Sequence, residues 1–395
     1  MKRVAFMMTH PTQYHSPWFR ALAASGEIDI HVYYGSTPSA EQQGEGFGVK
    51  FEWDVPLLEG YPYTLLRNSG SGSLRDFAGI DTPGINALVA KERYDAWVIN
   101  GWRTKSEWRT IEACWGERIP MFIRGDSNLL TPRPLATRLV KHFLYRRWIP
   151  RFRCYLTVGT LNEQYYEHYG ADRRRFVPVR HFVDNEWFAV RADAERSKSK
   201  TRREIWGIRE GSVVALFAGK FITKKQPMDA IRAIEKIVQM RSDAELRSDV
   251  ELLMVGDGPL RRECEEFAAR RKLPVVFAGF LNQAAMPAAY AAADMLVMPS
   301  THDETWGLVV NEAMASGIPA IVSDQVGCAP DLIVEGETGS VFKAGDVDAL
   351  AKAISSLASD RGALERTAAA TRARVANFSL DSAVRNTILA ANEFA

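Results

Sequence analysis

The sequence predicts an α/β protein built from two doubly wound, Rossmann-like parallel-sheet domains that face an interdomain cleft. Three observations predict it. The chain has 395 residues, too many for one ordinary hydrophobic core, so two domains follow. Short apolar runs bounded by turn residues alternate with helical stretches, the signature of a parallel sheet wrapped by helices. That alternation stops once, in a charged segment near the middle, and then restarts.

Taken in order, Val4 to Met8, Ile28 to Tyr34, Ala96 to Asn100, Pro120 to Ile123 and Tyr155 to Val158 are the strand candidates of a first domain, residues 1–190. From Arg191 to Glu204 nothing can be buried on either the helical or the strand period, so 191–205 reads as a surface connection. Val213 to Ala218, Val250 to Val255, Val275 to Ala278, Met295 to Met298 and Pro319 to Val322 then supply a second sheet in 206–378. The last segment, 379–395, shows helical spacing of Val384, Ile388 and Leu389 and is expected to pack back on the first domain. No internal repeat or low-complexity tract interrupts this order.

Composition narrows the function. Hydrophobic residues make up 46% and charged residues 25%, the balance of a folded globular chain. A net charge of +2 gives no global electrostatic argument for nucleic acid, so none is expected as a partner and any basic function must be local. Cys114, Cys154, Cys264 and Cys328 are scattered without a C-x-x-C pair, so neither a zinc site nor a disulfide framework is expected, and a reducing compartment fits. The first residues read as a buried strand rather than a signal peptide, and no apolar run reaches the roughly 20 residues of a membrane span. The expected location is cytoplasmic.

Two segments carry chemistry. Phe217 to Ala218 runs into Gly219-Lys220-Phe221-Ile222-Thr223-Lys224-Lys225-Gln226-Pro227 and then a helix from about Met228. Cations at a strand end beside a helix N-terminus make an anion site suited to a diphosphate, the other reading being a solvated basic turn. In the second segment, a strand ends at Met298, a polar loop follows, and a helix begins near Trp306 and stops by Gly317. Glu304 precedes that helix and Glu312 lies about two turns inside it. A carboxylate accepts paired hydrogen bonds from neighbouring hydroxyls, so Glu312 suits a ribose diol and Glu304 a hexose. The N–H groups of Trp306, Gly307 and Leu308 point at the same place from the positive end of the helix. The other reading makes Glu304 a first-turn acid and Glu312 part of a solvated face, although Leu308, Val309, Ala313, Met314 and Ala315 surround Glu312 with apolar neighbours.

Glu304 and Glu312, with seven residues between them and Ala-Met-Ala-Ser-Gly-Ile-Pro following, resemble the E-x7-E signature of the retaining family 4 glycosyltransferases. Gly219 to Lys225 is similar to that family's phosphate loop, Val255-Gly256-Asp257-Gly258-Pro259 to its glycine turn, Ala278-Gly279-Phe280 to its base segment and Asp324 to Gly339 to its tail. The likeness is nearly continuous from Val213 to Phe342 and thinner in the first half. Lys220 stands where the family usually has arginine, Gln226 and Cys328 where it has glycines, and the loop Thr9 to His15 lacks its Gly-Gly.

The resemblance implies the GT-B fold and transfer, with retention, of a hexose-type sugar from a nucleotide-diphosphate sugar, UDP- or GDP-linked. The acceptor would be a saccharide or lipid-linked molecule, in bacterial surface polysaccharide or glycoconjugate synthesis. It implies donor contacts from Gly219, Lys220, Lys225, Gly256, Phe280, Leu281, Glu304, Thr305, Trp306, Gly307, Leu308 and Glu312. Lys220 and Lys225 would stabilise the leaving diphosphate and Glu304 would hold the sugar, with no cofactor and no metal required. Asp346-Val347-Asp348 spells D-x-D, but it follows Gly345 and opens a helix, so Asp346 reads as an N-cap.

On the acceptor side, Arg124 and Asp126 follow a strand and should face the cleft, where either would touch the transferred sugar or the acceptor; Asp126 is a catalytic candidate, its other reading being a turn former. His10 and His15 are candidates for an acceptor hydroxyl or a base, or are structural. Between Arg133 and Arg153, basic residues interleave with Leu139, Phe143, Leu144 and Trp148, and no acid occurs between Asp126 and Glu163. Such a helix suits an anionic membrane surface, or else packs by its apolar side with its basic face in water. A GT-B epimerase or phosphorylase, an inactive carbohydrate- or membrane-binding subunit, and a Rossmann dehydrogenase are the competing readings. The last lacks its G-x-G-x-x-G after the first strand.

Overall fold

Successive residues of a strand point to opposite faces, and a strand covered on both faces must be apolar throughout. β1 (Lys2–Met8) shows this directly: Val4, Phe6 and Met8 enter one core with Trp18, Phe19 and Val98, while Ala5 and Met7 enter another with Trp97, Ile99 and Tyr155. The computed structural model describes residues 1–241 and 250–395. The chain divides into two units, one of Met1–Ser39, Val55–Phe182 and Ser379–Ala395, the other of Ala40–Asp54 and Val183–Phe378.

In unit 1, β2 (Ile28–Tyr34), β3 (Tyr63–Leu65), β4 (Ala96–Asn100), β5 (Met121–Arg124), β6 (Cys154–Leu156) and β7 (Phe176–Val177) join β1 in one sheet of order β3-β2-β1-β4-β5-β6-β7. Every pairing is parallel. The chain winds outward on both sides of β1, which places a topological switch point between β1 and β4. The helix Leu380–Phe394 belongs to this unit and buries Ala383, Ile388 and Ala391 in the Trp18 core.

Unit 2 repeats the plan. β8 (Val213–Ala218), β9 (Val250–Val255), β10 (Val275–Gly279), β11 (Met295–Met298), β12 (Ala320–Ser323) and β13 (Gly339–Phe342) form a parallel sheet of order β10-β9-β8-β11-β12-β13. Its switch point lies between β8 and β11. Both chemistry-bearing segments leave the sheet there.

The structure differs from the sequence reading at several points. β3, β7 and β13 have no apolar run: they are edge or near-edge strands of two to four residues, and of β13 only Gly339 and Phe342 are buried. The stretch expected as a surface connection is helical, over Asn185–Arg196 and Ser199–Ile205, and the unit changes at Phe182/Val183. The Asp184 side chain caps the first of these helices by accepting from the Trp187 N–H at 2.9 Å. Phe188 and Ala192, one turn apart, are its buried anchors, two residues too few to mark a period in a charged segment. The helix expected from Trp306 spans Leu308–Ala315, because Gly307 at φ 97° breaks it from the preceding turn.

The basic segment forms the helix Leu135–Trp148. Its apolar side faces outward: Leu135 (69%), Leu139, Val140, Phe143 (73%) and Leu144 are exposed, four-residue spacings that put them on one face. Inward lies Lys141, whose Nζ sits 4.8 and 4.9 Å from the ring centres of Tyr145 and Tyr165. Burial lowers the Lys141 ammonium to about 8. Arg138, Arg146 and Arg147 are exposed too, so the basic side is solvated as the alternative has it, but the apolar side is not packed.

Candidate functional site

At the end of β8, Gly219 turns the chain and the loop passes through a 3-10 turn, Thr223–Lys225, before the helix Pro227–Arg241. The turn of β9 crosses close by: a Cβ at Gly256, where φ is 131°, would lie 1.9 Å from the Gly219 carbonyl oxygen. Only glycine permits that approach. From the neighbouring β11 the loop Pro299–Gly307 returns over the same place. The Thr301 N–H donates to the Lys224 carbonyl at 2.8 Å, and Lys224 Nζ donates to the Asp303 carbonyl at 3.2 Å. This lacing brings Lys225 Nζ and Glu304 Oε2 into an ion pair, both side chains largely buried. Two residues far apart in sequence thus form one unit because β8 and β11 are adjacent.

The Glu304 loop is fixed from behind. The Gly327 N–H donates to the Glu304 carbonyl at 2.9 Å and the Cys328 N–H to the Trp306 carbonyl at 3.0 Å. A Cβ at Gly327 would meet the Thr305 carbonyl oxygen at 1.8 Å. Cys328, in a position resembling a family glycine, is fully buried, and burial and the Glu304 charge hold its thiol protonated, well above the usual range. The Trp306 indole N–H donates to Asn311 Oδ1 at 2.8 Å, tying the loop to the first turn of the helix that bears Glu312.

Glu312 is not on a solvated face. It is 3% exposed and its Oε2 accepts from the Tyr290 hydroxyl at 2.5 Å. Tyr290 is itself buried, held against Phe188 at 6.1 Å between ring centres. This partner has no signature in the sequence.

Lys220 is engaged elsewhere. Its Nζ donates to the Glu45 carbonyl and lies 4.9 Å from the Phe47 ring centre. Glu45 and Phe47 belong to a strap, Ala40–Asp54, that sequence reasoning did not single out. The Phe47 and Phe51 rings sit 5.0 and 4.5 Å from Phe280, which Leu281 follows. Asn282 Nδ2 donates to the Glu52 carbonyl at 2.7 Å, and the Ala284 N–H to Asp54 Oδ1 at 3.0 Å. The strap therefore lies over the Lys220 loop and the Phe280 segment. Its signal in retrospect is Gly44-Glu45-Gly46-Phe47-Gly48, glycines that let the backbone approach Lys220 and Gly258 closely.

In unit 1, Arg124 ends β5 and is buried, with Nη1 3.3 Å from His15 Nε2 and Nη2 3.5 Å from His181 Nδ1. His10 Nδ1 meets Thr9 Oγ1 at 2.9 Å, and His15 Nδ1 meets Thr12 Oγ1 at 3.0 Å. Asp126 is exposed in the loop beyond. Of the tryptophans in this half, Trp18 and Trp97 are fully buried core, and Trp102, Trp108 and Trp148 pack on one another. Asp346 caps its helix by accepting from the Ala349 N–H at 2.8 Å. No group of three or more His, Cys, Asp or Glu able to hold a metal occurs among the described residues.

Burial pushes His10 down to about 4, and burial with the Arg124 charge pushes His15 and His181 well below 6.5. A histidine whose folded value is depressed binds fewer protons folded than unfolded, so its stability contribution is full above 6.5 and is lost as pH falls below it. Glu107, raised to about 7 by burial within its capping box, runs the opposite way between 4.5 and 7. Three histidines outweigh one carboxyl, each contributing a slope of up to about 1.4 kcal/mol per pH unit. The urea midpoint of unit 1, followed by tryptophan fluorescence, is expected to fall between pH 7 and pH 5. A flat or rising midpoint would contradict the buried neutral histidines.

A family model described as glycosyl transferases group 1 matches residues 198–374. The D-inositol 3-phosphate glycosyltransferase of Corynebacterium glutamicum is 31% identical over 401 residues, covering 91% of this chain and 88% of that protein. The sulfoquinovosyl transferase of Arabidopsis thaliana is 36% identical over 143 residues, which are 35% of this chain and 27% of that protein. Among solved structures, Anabaena HepE in complex with UDP matches with a TM-score of 0.71 at 17% identity, covering 98% of each chain, a likeness of fold. A relative of such identity across nearly its whole length, on two doubly wound sheets, decides the family: the chain belongs to the group 1 (family 4) glycosyltransferases of GT-B fold, which take a sugar from a nucleotide sugar.

Proposed function

We propose that the protein is a retaining, metal-independent hexosyltransferase whose unit 2 binds the nucleotide-sugar donor and whose unit 1 takes a saccharide or lipid-linked acceptor. The observation that carries this reading is the Lys225–Glu304 pair at the switch point of the second sheet, where ligands of doubly wound folds bind. Departure of a nucleoside diphosphate builds charge on its leaving oxygen, and a fixed cation at that oxygen is the effective means of stabilising it. Lys225 supplies the cation. Glu304, oriented by the same ion pair, holds the sugar hydroxyls, and Lys220 exchanges the Glu45 carbonyl for a phosphate oxygen. The backbone of Gly219, Gly256 and Thr305 to Leu308 lines the diphosphate, Phe280 and Leu281 the base, and Glu312 the ribose diol. That HepE is solved with UDP supports a UDP-linked donor. With retention, the acceptor hydroxyl enters on the face the diphosphate leaves, its proton passing to the departing phosphate. The test is incubation with UDP- and GDP-hexoses and glycan or glycolipid acceptors, with the product read by NMR: an α-linked donor should give an α-linked product. An inverted product, or donor consumption that needs no acceptor, overturns the reading.

The exposed apolar face of the helix Leu135–Trp148, flanked by Arg133, Arg138, Arg146 and Arg147, supports action at the inner, anionic face of the cytoplasmic membrane, in surface polysaccharide or glycoconjugate synthesis. No helix among the described residues is long and apolar enough to cross a membrane. Leu139→Gln with Phe143→Gln is expected to weaken binding to phosphatidylglycerol vesicles at least ten-fold. Equal sedimentation of variant and parent would remove this part of the proposal.

A further inference from the structure

Arg124 presents an electrostatic problem that the fold does not solve internally. Its side chain is 2% exposed, enclosed by the rings of Trp18 and Phe182 at 5.4 and 5.7 Å. A guanidinium carries five N–H donors. Two are used, at 3.3 and 3.5 Å, the long limit of a hydrogen bond, and both go to imidazoles rather than to a carboxylate. Among the described residues, Nε has no hydrogen-bond partner. The Asp126 charge favours its protonated form, against the larger effect of burial. An unpaired buried cation costs several kcal/mol, so a chain that keeps one has left its counter-charge to be supplied from outside.

The position is suited to a ligand. Arg124 is the last residue of β5, and His10 follows β1, so both leave the C-terminal edge of the sheet beside its switch point. His10 Nδ1 is engaged by Thr9, which leaves Nε2 for a ligand. We propose that Arg124, with His10 and His15 at its rim, binds a phosphate group carried by the acceptor, so that the acceptor is a sugar phosphate, a polyol phosphate or a phospholipid rather than a neutral glycan. This rests on the reading that unit 1 takes the acceptor. The planar fork pairs with two phosphate oxygens, and the phosphate supplies the charge that the interior lacks.

Inorganic phosphate is the probe, with melting temperature followed at constant ionic strength against chloride. The parent and Lys225→Ala should both gain stability saturably, and Arg124→Gln should not. Arg124→Lys, which keeps the charge and serves if the glutamine variant does not fold, should bind phosphate at least five-fold more weakly. In the transfer assay, Arg124→Lys should raise KM for a phosphorylated acceptor at least ten-fold and leave donor KM within two-fold. No saturable gain over chloride in the parent, or an equal gain in Arg124→Gln, overturns the proposal. Loss of the gain in Lys225→Ala also overturns it, by assigning the phosphate to the donor loop. The binding arm needs no turnover, so it stands or falls separately from the proposed reaction.

Discussion

Replacing Lys225 by alanine is expected to lower kcat about 10²- to 10³-fold, the usual effect of removing one preorganised donor from a developing oxyanion. The side chain spans the gap between the β8 loop and the β11 loop and ends on Glu304, so its loss does two things. The leaving diphosphate loses a fixed cation, and Glu304, which is mostly buried, loses the partner that orients it. Lys225→Arg should recover part of the rate, because charge is kept while the point contact is replaced by a broader fork. The loop itself should persist, since the Thr301-to-Lys224 backbone bond and the Gly327-to-Glu304 bond do not involve the lysine side chain. Steady-state rates with an unchanged circular dichroism melt would establish the effect as chemical. A variant with full kcat would remove Lys225 from the reaction.

Glu312→Gln should act on binding instead, raising donor KM about 10- to 100-fold while kcat stays within a few-fold. The amide oxygen of glutamine still accepts from the Tyr290 hydroxyl, so the buried contact survives and the change isolates the carboxylate charge. Hydrogen bonds to a charged acceptor are worth about 1.5–3 kcal/mol, which sets the expected range. A loss confined to KM marks an interaction made equally in the ground and transition states, as expected for a diol remote from the breaking bond. A fall in kcat with constant KM would place Glu312 at the reacting centre.

The central strands were legible because burial on both faces leaves no other pattern open to them. β2, β4, β8, β9 and β11 begin and end where their apolar runs do. The edge strands β3, β7 and β13 were not, since a half-exposed strand of two to four residues carries no period. Asp346 was readable as a cap because a cap is a local arrangement. The Lys225–Glu304 contact was not, because it depends on which strands are neighbours. The same reason hid Tyr290 beside Glu312 and gathered His15, Arg124 and His181 from three distant segments. The strap Ala40–Asp54 lies between β2 and β3 in sequence yet belongs to unit 2, a placement that periodicity does not encode.

The strap also shapes what donor binding must do. Lys220 donates to the Glu45 carbonyl, so on the proposed reading a diphosphate at this loop meets a lysine already held by the strap. On the proposed reading both cations are already engaged when the donor arrives, Lys220 by the strap and Lys225 by Glu304. Calorimetric titration of the full chain with UDP and with GDP, repeated on Lys225→Ala, tests the assignment of the donor site most directly. One of the two nucleotides should bind the parent at a single site, and the alanine variant should bind it at least ten-fold more weakly. Binding of neither nucleotide, or equal affinity in parent and variant, would contradict a donor site built on Lys225 and Glu304.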